Sequence, residues 1–456
     1  MDPATTTAAH ALASAAASSR RDAAVTNGAA AANGATAANG ATAADDAAGT
    51  TSAAAASTPS ASAASPALAP HLVRLTRERL RQVLADALAH QNPLTSALAQ
   101  LDFSAPEAYG ADRPDWAVGP FAPDPALTFT LDGQWADPDD IGWSSSSLYN
   151  PSMIEHDGTL HLFYRASPRK ESLGSRIGHA TRDLSDPDAA WVDDPANPVV
   201  RPLDDLELLG VEDPKVYRAE GRFWLFWNGI WPITEEARAA FPSTGYPVEA
   251  VGCDMMLAVS DDLVTWERLG PVAPPERTRL WAKGAVVPRD EHGEAVRIGG
   301  EYLMFVSEGF DGVLHVGRSD DMRRWTFEPT PYLDLASVGG HLHEVAAAIV
   351  TGDGHLVLDV FHDDADGRFA ASQALYDLDR PTDQLALTPG GSLSWGGLGR
   401  VDGRWTFAQG WDAPPRRRDL YVYREARDAT APDATAPDAT APGATAPDTG
   451  AAAPTT

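Results

Sequence analysis

The chain has 456 residues and a formal net charge of −29, with 35 Lys and Arg set against 64 Asp and Glu. A surface this negative repels nucleic acid and anionic membrane, so neither is expected as a partner. Cys253 is the single cysteine, which excludes an internal disulfide, and no apolar leader or run of about 18 apolar residues is present, so a cytoplasmic protein is expected.

Residues 1–66 are almost wholly Ala, Thr, Ser, Asn and Gly, with three near-copies of Asn-Gly-Ala-Thr/Ala, and residues 428–456 repeat Ala-Thr-Ala-Pro-Asp/Gly. Such stretches carry too little apolar surface to offset the entropy of ordering them, so both ends are expected to be disordered tails. They hold few charges, which leaves −23 on the part between them. That part, roughly 360 residues, exceeds the usual ceiling of about 250–300 for one core unless the fold is radial and repetitive.

Residues 67–139 read as a helix and a connecting segment. Leu72, Val73, Leu75, Leu80, Val83, Leu84 and Leu88 fall largely on one face, which predicts a helix over 70–92 stopped by Pro93. Two readings of it stand: a helix packed on the protein's own surface, or a contact between subunits of a homo-oligomer.

From 140 to 427 the pattern changes to short strands between Gly, Asp and Pro turns. A turn with Gly followed by an aromatic-rich strand recurs at Gly158, Gly221, Gly300, Gly354 and Gly403. Five copies spaced by roughly 50–80 residues predict an all-β chain folded as a five-bladed β-propeller. Ser260-Asp261-Asp262 before Trp266 and Ser319-Asp320-Asp321 before Trp325 form a second repeat, with a looser copy from Thr181 to Trp191. Their Asp side chains suit capping a tight turn, and the Trp suits packing between blades, so both are expected to be structural.

The innermost strands of a propeller converge on a central channel, so polar residues just before each aromatic strand are the candidates for chemistry. Four segments qualify: Tyr149-Asn150-Pro151, Gly210-Val211-Glu212-Asp213-Pro214-Lys215, Trp281-Ala282-Lys283-Gly284 and His341-Leu342-His343-Glu344. Together with Leu-Phe-Tyr-Arg at 162–165 and Phe361-His362, they resemble glycoside hydrolase family 130, which contains β-mannoside phosphorylases and some β-mannoside hydrolases. The resemblance runs from Tyr149 to Tyr423, and Gly-Val-Glu-Asp-Pro is its most specific element.

The resemblance implies an enzyme that cleaves β-mannosidic bonds by inverting phosphorolysis, releasing mannose 1-phosphate, with Asp213 as the general acid. Breaking a glycosidic bond needs an acid at the leaving oxygen, and a residue fixed ahead of a proline suits that role. Asp213 also reads as a plain turn cap. Glu212 beside it should point to the opposite face of a strand, so the two do not make a dyad by sequence alone. With phosphate as nucleophile no second carboxylate is needed; Arg165, Lys283 and His362 match the family's phosphate ligands, and Arg176 is a further cation without a secure match. Substrate contacts fall to Asn150, Glu212, Lys215, Trp281, Trp227, Phe310 and Asp311, with Trp231 as another aromatic that could stack on a sugar. Inorganic phosphate and an oligosaccharide are then the partners, and no cofactor or metal is expected, since His341 and His343 lack a third ligand.

The sequence departs from the family at Lys215, where Arg is usual, at 339–345, and at Asp363, where Gly is usual. These departures leave open a hydrolase with Glu308 or Glu344 as base for water, and also a sugar-binding propeller without catalysis. Five-bladed hydrolases of the fructosidase or arabinanase kind need a first-blade carboxylate where this chain has Asn150, and an amide cannot act as nucleophile or base.

Overall fold

The computed structural model describes residues 104–426 except 132, 134, 169–173, 234–250, 279–281, 311–312, 339, 341, 393–396 and 411–417, together with 78, 81, 82 and 85. The chain divides into two units, Met1–Glu425 and Ala426–Thr456. The tail 1–66 and the second unit beyond Ala426 lie outside the described residues, and the expected disorder lies there with them.

The N-terminal helix is not supported. Glu78, Arg81, Gln82 and Ala85 are helical, but the rest of 70–92, and any subunit contact through it, lies outside the described residues. Among the described residues the longest helical elements have four residues, at Pro106–Tyr109 and Pro275–Thr278.

Five sheets account for the fold. From the expected connecting segment come β1 (Phe121–Pro123) and β2 (Phe129–Thr130). The first sheet is β3 (Ser147–His156), β4 (Thr159–Ser167), β5 (Arg176–Asp183) and β6 (Val192–Asp193) in that order. The second is β7 (Gly210–Ala219), β8 (Arg222–Pro232), β9 (Val251–Ser260) and β10 (Glu267–Pro271). The third joins β11 (Lys283–Val286) to β13 (Glu301–Phe310), β14 (Val313–Ser319) and β15 (Thr326–Pro329), with β12 (Arg297–Ile298) also on β13. The fourth is β16 (Leu342–Val350), β17 (His355–Asp363), β18 (Phe369–Asp377) and β19 (Ala386–Pro389). The last is β20 (Gly399–Val401), β21 (Arg404–Gly410) and β22 (Asp419–Glu425), completed by β1 and β2. Sequential antiparallel sheets whose last member is finished by a strand from the start of the chain form a closed five-bladed β-propeller.

The closure is antiparallel, Phe121 opposite Glu425 and Pro123 opposite Tyr423, and Phe121 meets the Phe407 ring edge-on at 5.1 Å. The hairpin turns follow from sequence: Asp157-Gly158, Glu220-Gly221 and Asp402-Gly403 all take positive φ at both residues, as a two-residue turn matched to strand twist requires. The repeated tryptophans pack between sheets. Trp191 of the first meets Phe129 of the last at 5.7 Å, Trp266 of the second meets Phe163 of the first at 5.7 Å, and Trp325 of the third meets Phe226 of the second at 6.2 Å.

The aspartates of that repeat do cap their turns. Asp262 Oδ1 accepts from the Val264 and Thr265 backbone N–H groups at 2.9 and 2.7 Å, and Asp321 Oδ1 does the same for Arg323 and Arg324 at 3.0 and 2.9 Å. Asp262→Ala is therefore expected to destabilise the protein by about 1 kcal/mol with activity unchanged, read as a lower urea midpoint at constant slope. Among the described residues no helix is long and apolar enough to cross a membrane.

Candidate active site

One irregularity recurs in four blades and builds the site. The ladder between innermost and second strands shifts register between Tyr149 and Ser152, Glu212 and Lys215, Lys283 and Ala285, and Leu342 and Glu344. Ahead of each shift the innermost residue pairs with Arg165, Asn228, Gly309 and His362 respectively, so Arg165 and His362 hold equivalent places in blades one and four. Asn150, Asp213 and Gly284 lie in the shifts with φ of 47°, 54° and 81°. Pro151 and Pro214 have no N–H to give the ladder, and Asn and Asp tolerate the left-handed region better than other side chains. Such a backbone still costs on the order of 1–3 kcal/mol, and it persists only where its surroundings hold it.

The left-handed turn at Asp213 cancels the strand alternation expected there. Glu212 and Asp213 reach the same two cations instead of opposite faces. Arg165 Nη1 donates to Asp213 Oδ1 at 2.7 Å, and Arg165 Nη2 pairs with Glu212 Oε2. Lys283 Nζ lies 3.1 Å from Asp213 Oδ2 and 3.8 Å from Glu212 Oε1. Arg165 is fixed further by Ser175 Oγ, which accepts from its Nε at 3.0 Å, and by the Tyr149 ring 4.3 Å beneath the guanidinium.

Arg165, Ser175, Glu212 and Asp213 are buried, Tyr149 is partly buried, and Lys283 keeps 12% of its side chain exposed. Burial pushes the Asp213 carboxyl up, but Lys283 and Arg165 outweigh it and hold the carboxyl below the usual range. Burial likewise raises the Tyr149 phenol to about 12, so Tyr149 stays neutral beside Arg165.

The other expected residues fall in different places. Asn150 is buried in the first register shift. Lys215 of the second blade donates to Glu344 Oε1 of the fourth at 2.8 Å, both buried, so these two neutralise each other. His362 Nδ1 faces the Asp363 carbonyl at 2.7 Å and so carries the N–H, leaving Nε2 to accept from Ser372 Oγ at 2.8 Å. It is thus engaged within its own blade, and burial lowers its pKa. Arg176 turns away to Asp139 Oδ2, at 3.0 Å from Nε and 2.6 Å from Nη2, and does not join the cluster.

Trp227 and Trp231 are core residues, 1% and 0% exposed, with their indole N–H groups donating to Glu207 and Asp254. Neither has a face for a sugar. Trp281 and Asp311 lie outside the described residues, and Glu308 and Phe310 are placed only as backbone in β13. Among the described residues no group of three His, Cys, Asp or Glu is placed to hold a metal.

Tyr149 and Ser175 hold Arg165; Tyr149 stands in one of the four candidate segments but without a role of its own, and Ser175 is in none of them. The signal for Tyr149 was present: the hairpin at Asp157-Gly158 puts it opposite Arg165 once the Pro151 irregularity is counted. Ser175 carries no comparable signal.

No family model matches the chain. Over 190 residues it is 24% identical to a 1,2-β-oligomannan phosphorylase from Thermoanaerobacter sp. (strain X514), a match covering 40% of this chain. It thus spans about half, 53%, of that relative's length. Among solved structures it is similar to a glycosyl hydrolase from Bacteroides ovatus, with a TM-score of 0.51 and 18% identity over 68% of this chain and 94% of the other. A second solved structure comes from work showing that family 130 of mannoside phosphorylases contains glycoside hydrolases that target β-1,2 mannosidic linkages in Candida mannan. The match has a TM-score of 0.52 and 20% identity over 68% of this chain and 95% of the other. The structural likenesses show the propeller fold, and the relatives are those the sequence resemblance anticipates.

Proposed function

We propose that this chain belongs to glycoside hydrolase family 130 and cleaves β-mannosidic bonds by inverting phosphorolysis, releasing mannose 1-phosphate. The observation that carries the reading is the Asp213 carboxylate held between Arg165 and Lys283 at the level where four innermost strands break register. A phosphate oxygen attacks the anomeric carbon as the bond to the leaving oxygen breaks, and the Asp213 proton passes to that oxygen. Arg165 and Lys283 hold the phosphate, and no cofactor takes part.

This arrangement couples the two substrates. Arg165 and Lys283, placed beside Asp213 and Glu212, keep Asp213 ionised, which is the wrong state for an acid. An incoming phosphate dianion competes for both cations, relieves their hold on the carboxyl and lets burial raise its pKa. Phosphate therefore arms the acid as well as supplying the nucleophile. His362, at the place equivalent to Arg165, joins the phosphate once Nε2 gives up Ser372 and takes up a proton, which lets it donate to a phosphate oxygen.

A hydrolytic reading needs a carboxylate base for water. Glu344 is buried and tied to Lys215 at 2.8 Å instead of facing a water, so the phosphorolytic reading is preferred. The test is a panel of β-mannosides with and without inorganic phosphate, followed for reducing sugar and mannose 1-phosphate. Cleavage that requires phosphate and gives mannose 1-phosphate supports the proposal. Cleavage indifferent to phosphate makes the protein a hydrolase, and binding without cleavage makes it a sugar-binding propeller.

A further inference from the structure

The innermost strands continue past the Asp213 cluster, and at their far ends lies a second group of cations that the proposed reaction does not use. A solvent-open depression is lined there by Arg218, Arg289, Arg400 and His292, with Glu155 as its acidic member. Arg218 is five residues beyond Asp213, and at about 3.3 Å per strand residue the two are separated by roughly 15–20 Å.

Arg289 is the informative residue. It is 6% exposed, its guanidinium lies 4.3 Å from the Tyr217 ring centre, and Nη2 donates to the Val216 carbonyl at 2.6 Å. None of the described carboxylates forms an ion pair with it. A guanidinium keeps its charge at any physiological pH and presents five N–H donors, and a buried charge without a counter-ion is expensive. Arg400 beside it is also under-used. Its Nε is buried with no hydrogen-bond partner, its ion pair with Glu425 is long at 3.9 Å, and its guanidinium rests 4.9 Å from the Trp405 ring centre.

Glu425, Glu291 and Asp290 favour the Arg400 charge from a distance, and two other carboxylates are engaged elsewhere. Glu294 pairs with Arg218, and Glu155 accepts from the Asp402 backbone N–H at 2.7 Å. In a chain of net charge −29, two adjacent arginines with unspent donors around one depression are a built cationic site. We infer that this far mouth of the channel is a second anion site, in which Arg289 and Arg400 bind a phosphate oxyanion separately from the Asp213 cluster. The planar forks of the two guanidinium groups suit a tetrahedral oxyanion. Inorganic phosphate and the phosphate group of a sugar phosphate share this chemistry.

Equilibrium dialysis of the full chain with radiolabelled inorganic phosphate tests it, using Arg289→Gln and Arg400→Gln. Each variant is expected to weaken one phosphate site at least tenfold, while any KM for phosphate in mannoside cleavage stays within twofold of wild type. Arg400 is partly exposed, so Arg400→Gln keeps the test alive if Arg289→Gln fails to fold. Phosphate binding of wild-type stoichiometry and affinity in Arg400→Gln overturns the site, and so does a wild type that binds no phosphate. If the wild type cleaves no mannoside yet loses a phosphate on Arg400→Gln, the site stands and the reading of the Asp213 cluster falls. Displacement of the Arg400-dependent label by mannose 1-phosphate at concentrations below those needed of free phosphate identifies a sugar phosphate as the occupant; the reverse order identifies free phosphate.

Discussion

Asp213→Asn should lower the turnover of an unactivated β-mannoside by about 10²–10⁴-fold, the usual contribution of a positioned general acid. The amide keeps the side chain's size and can still accept from Arg165, so KM for the sugar should change little. What it loses is the proton, and the loss should depend on the leaving group. An aryl mannoside whose phenol leaves without protonation should retain most of its rate, whereas a sugar leaving group should not. Asn also carries no charge to compete for Arg165 and Lys283, which stand 2.7 and 3.1 Å from the carboxylate, so phosphate should bind the variant at least as tightly as wild type. A purely structural Asp213 makes a different pattern: breaking a buried ion pair costs on the order of 3–5 kcal/mol of stability and harms both leaving groups alike. Equal losses on the two substrates, with a large fall in melting temperature, would sink the acid assignment.

The blades were legible in the sequence because each depends on a local rule. Gly158, Gly221 and Gly403 sit in two-residue turns that need positive φ, and the aromatic strand after each turn follows from that register. The closure was not legible. Phe121–Pro123 is three residues in a segment without alternation, and it becomes a strand only because the open edge of β22 is there to be paired. The same contrast separates the site residues. Asp213, Arg165 and Lys283 were found through a motif, and their meeting across 118 positions of chain is a product of the radial fold. Glu212 was misplaced because alternation was assumed to run through Asp213, where φ is 54° and the pleat is broken. Trp227 shows the opposite error: an aromatic near a motif suggested a sugar platform, yet it lies in the core with Arg268 4.8 Å from its ring centre and Glu207 on its indole. Burial between blades and exposure in a channel draw on the same residue types, so composition does not separate them.

Asp359 predicts the largest effect on stability. It sits in β17, fully buried, and its partners are Gln373 Nε2 at 2.8 Å and the Ser392 N–H and hydroxyl at 3.1 Å, with no cation among them. These donors favour the carboxylate, but burial outweighs them and pushes the pKa up to about 7. The native state therefore holds a proton that the unfolded chain, with a carboxyl near the ordinary 3.9, gives up. Between about pH 4 and pH 7 the native state binds more protons, so stability falls as pH rises, by at most about 4 kcal/mol for a shift of three units. Asp359→Asn removes that dependence while keeping an acceptor for Gln373 and a donor for the Ser392 hydroxyl. Urea midpoints should be nearly equal for variant and wild type at pH 5, and the variant should be the more stable at pH 8. The consequence reaches the ring closure: Gln373 also accepts from the Val118 N–H at 2.8 Å and donates to the Val118 carbonyl at 2.9 Å, tying down the chain just ahead of β1. Amide exchange at Val118 should accordingly quicken above pH 7 in wild type and stay slow in Asp359→Asn, after correction for the intrinsic pH dependence of exchange. An Asn-minus-Asp stability difference that does not grow with pH would mean that Asp359 is ionised in the native protein and that its three donors suffice to hold the charge.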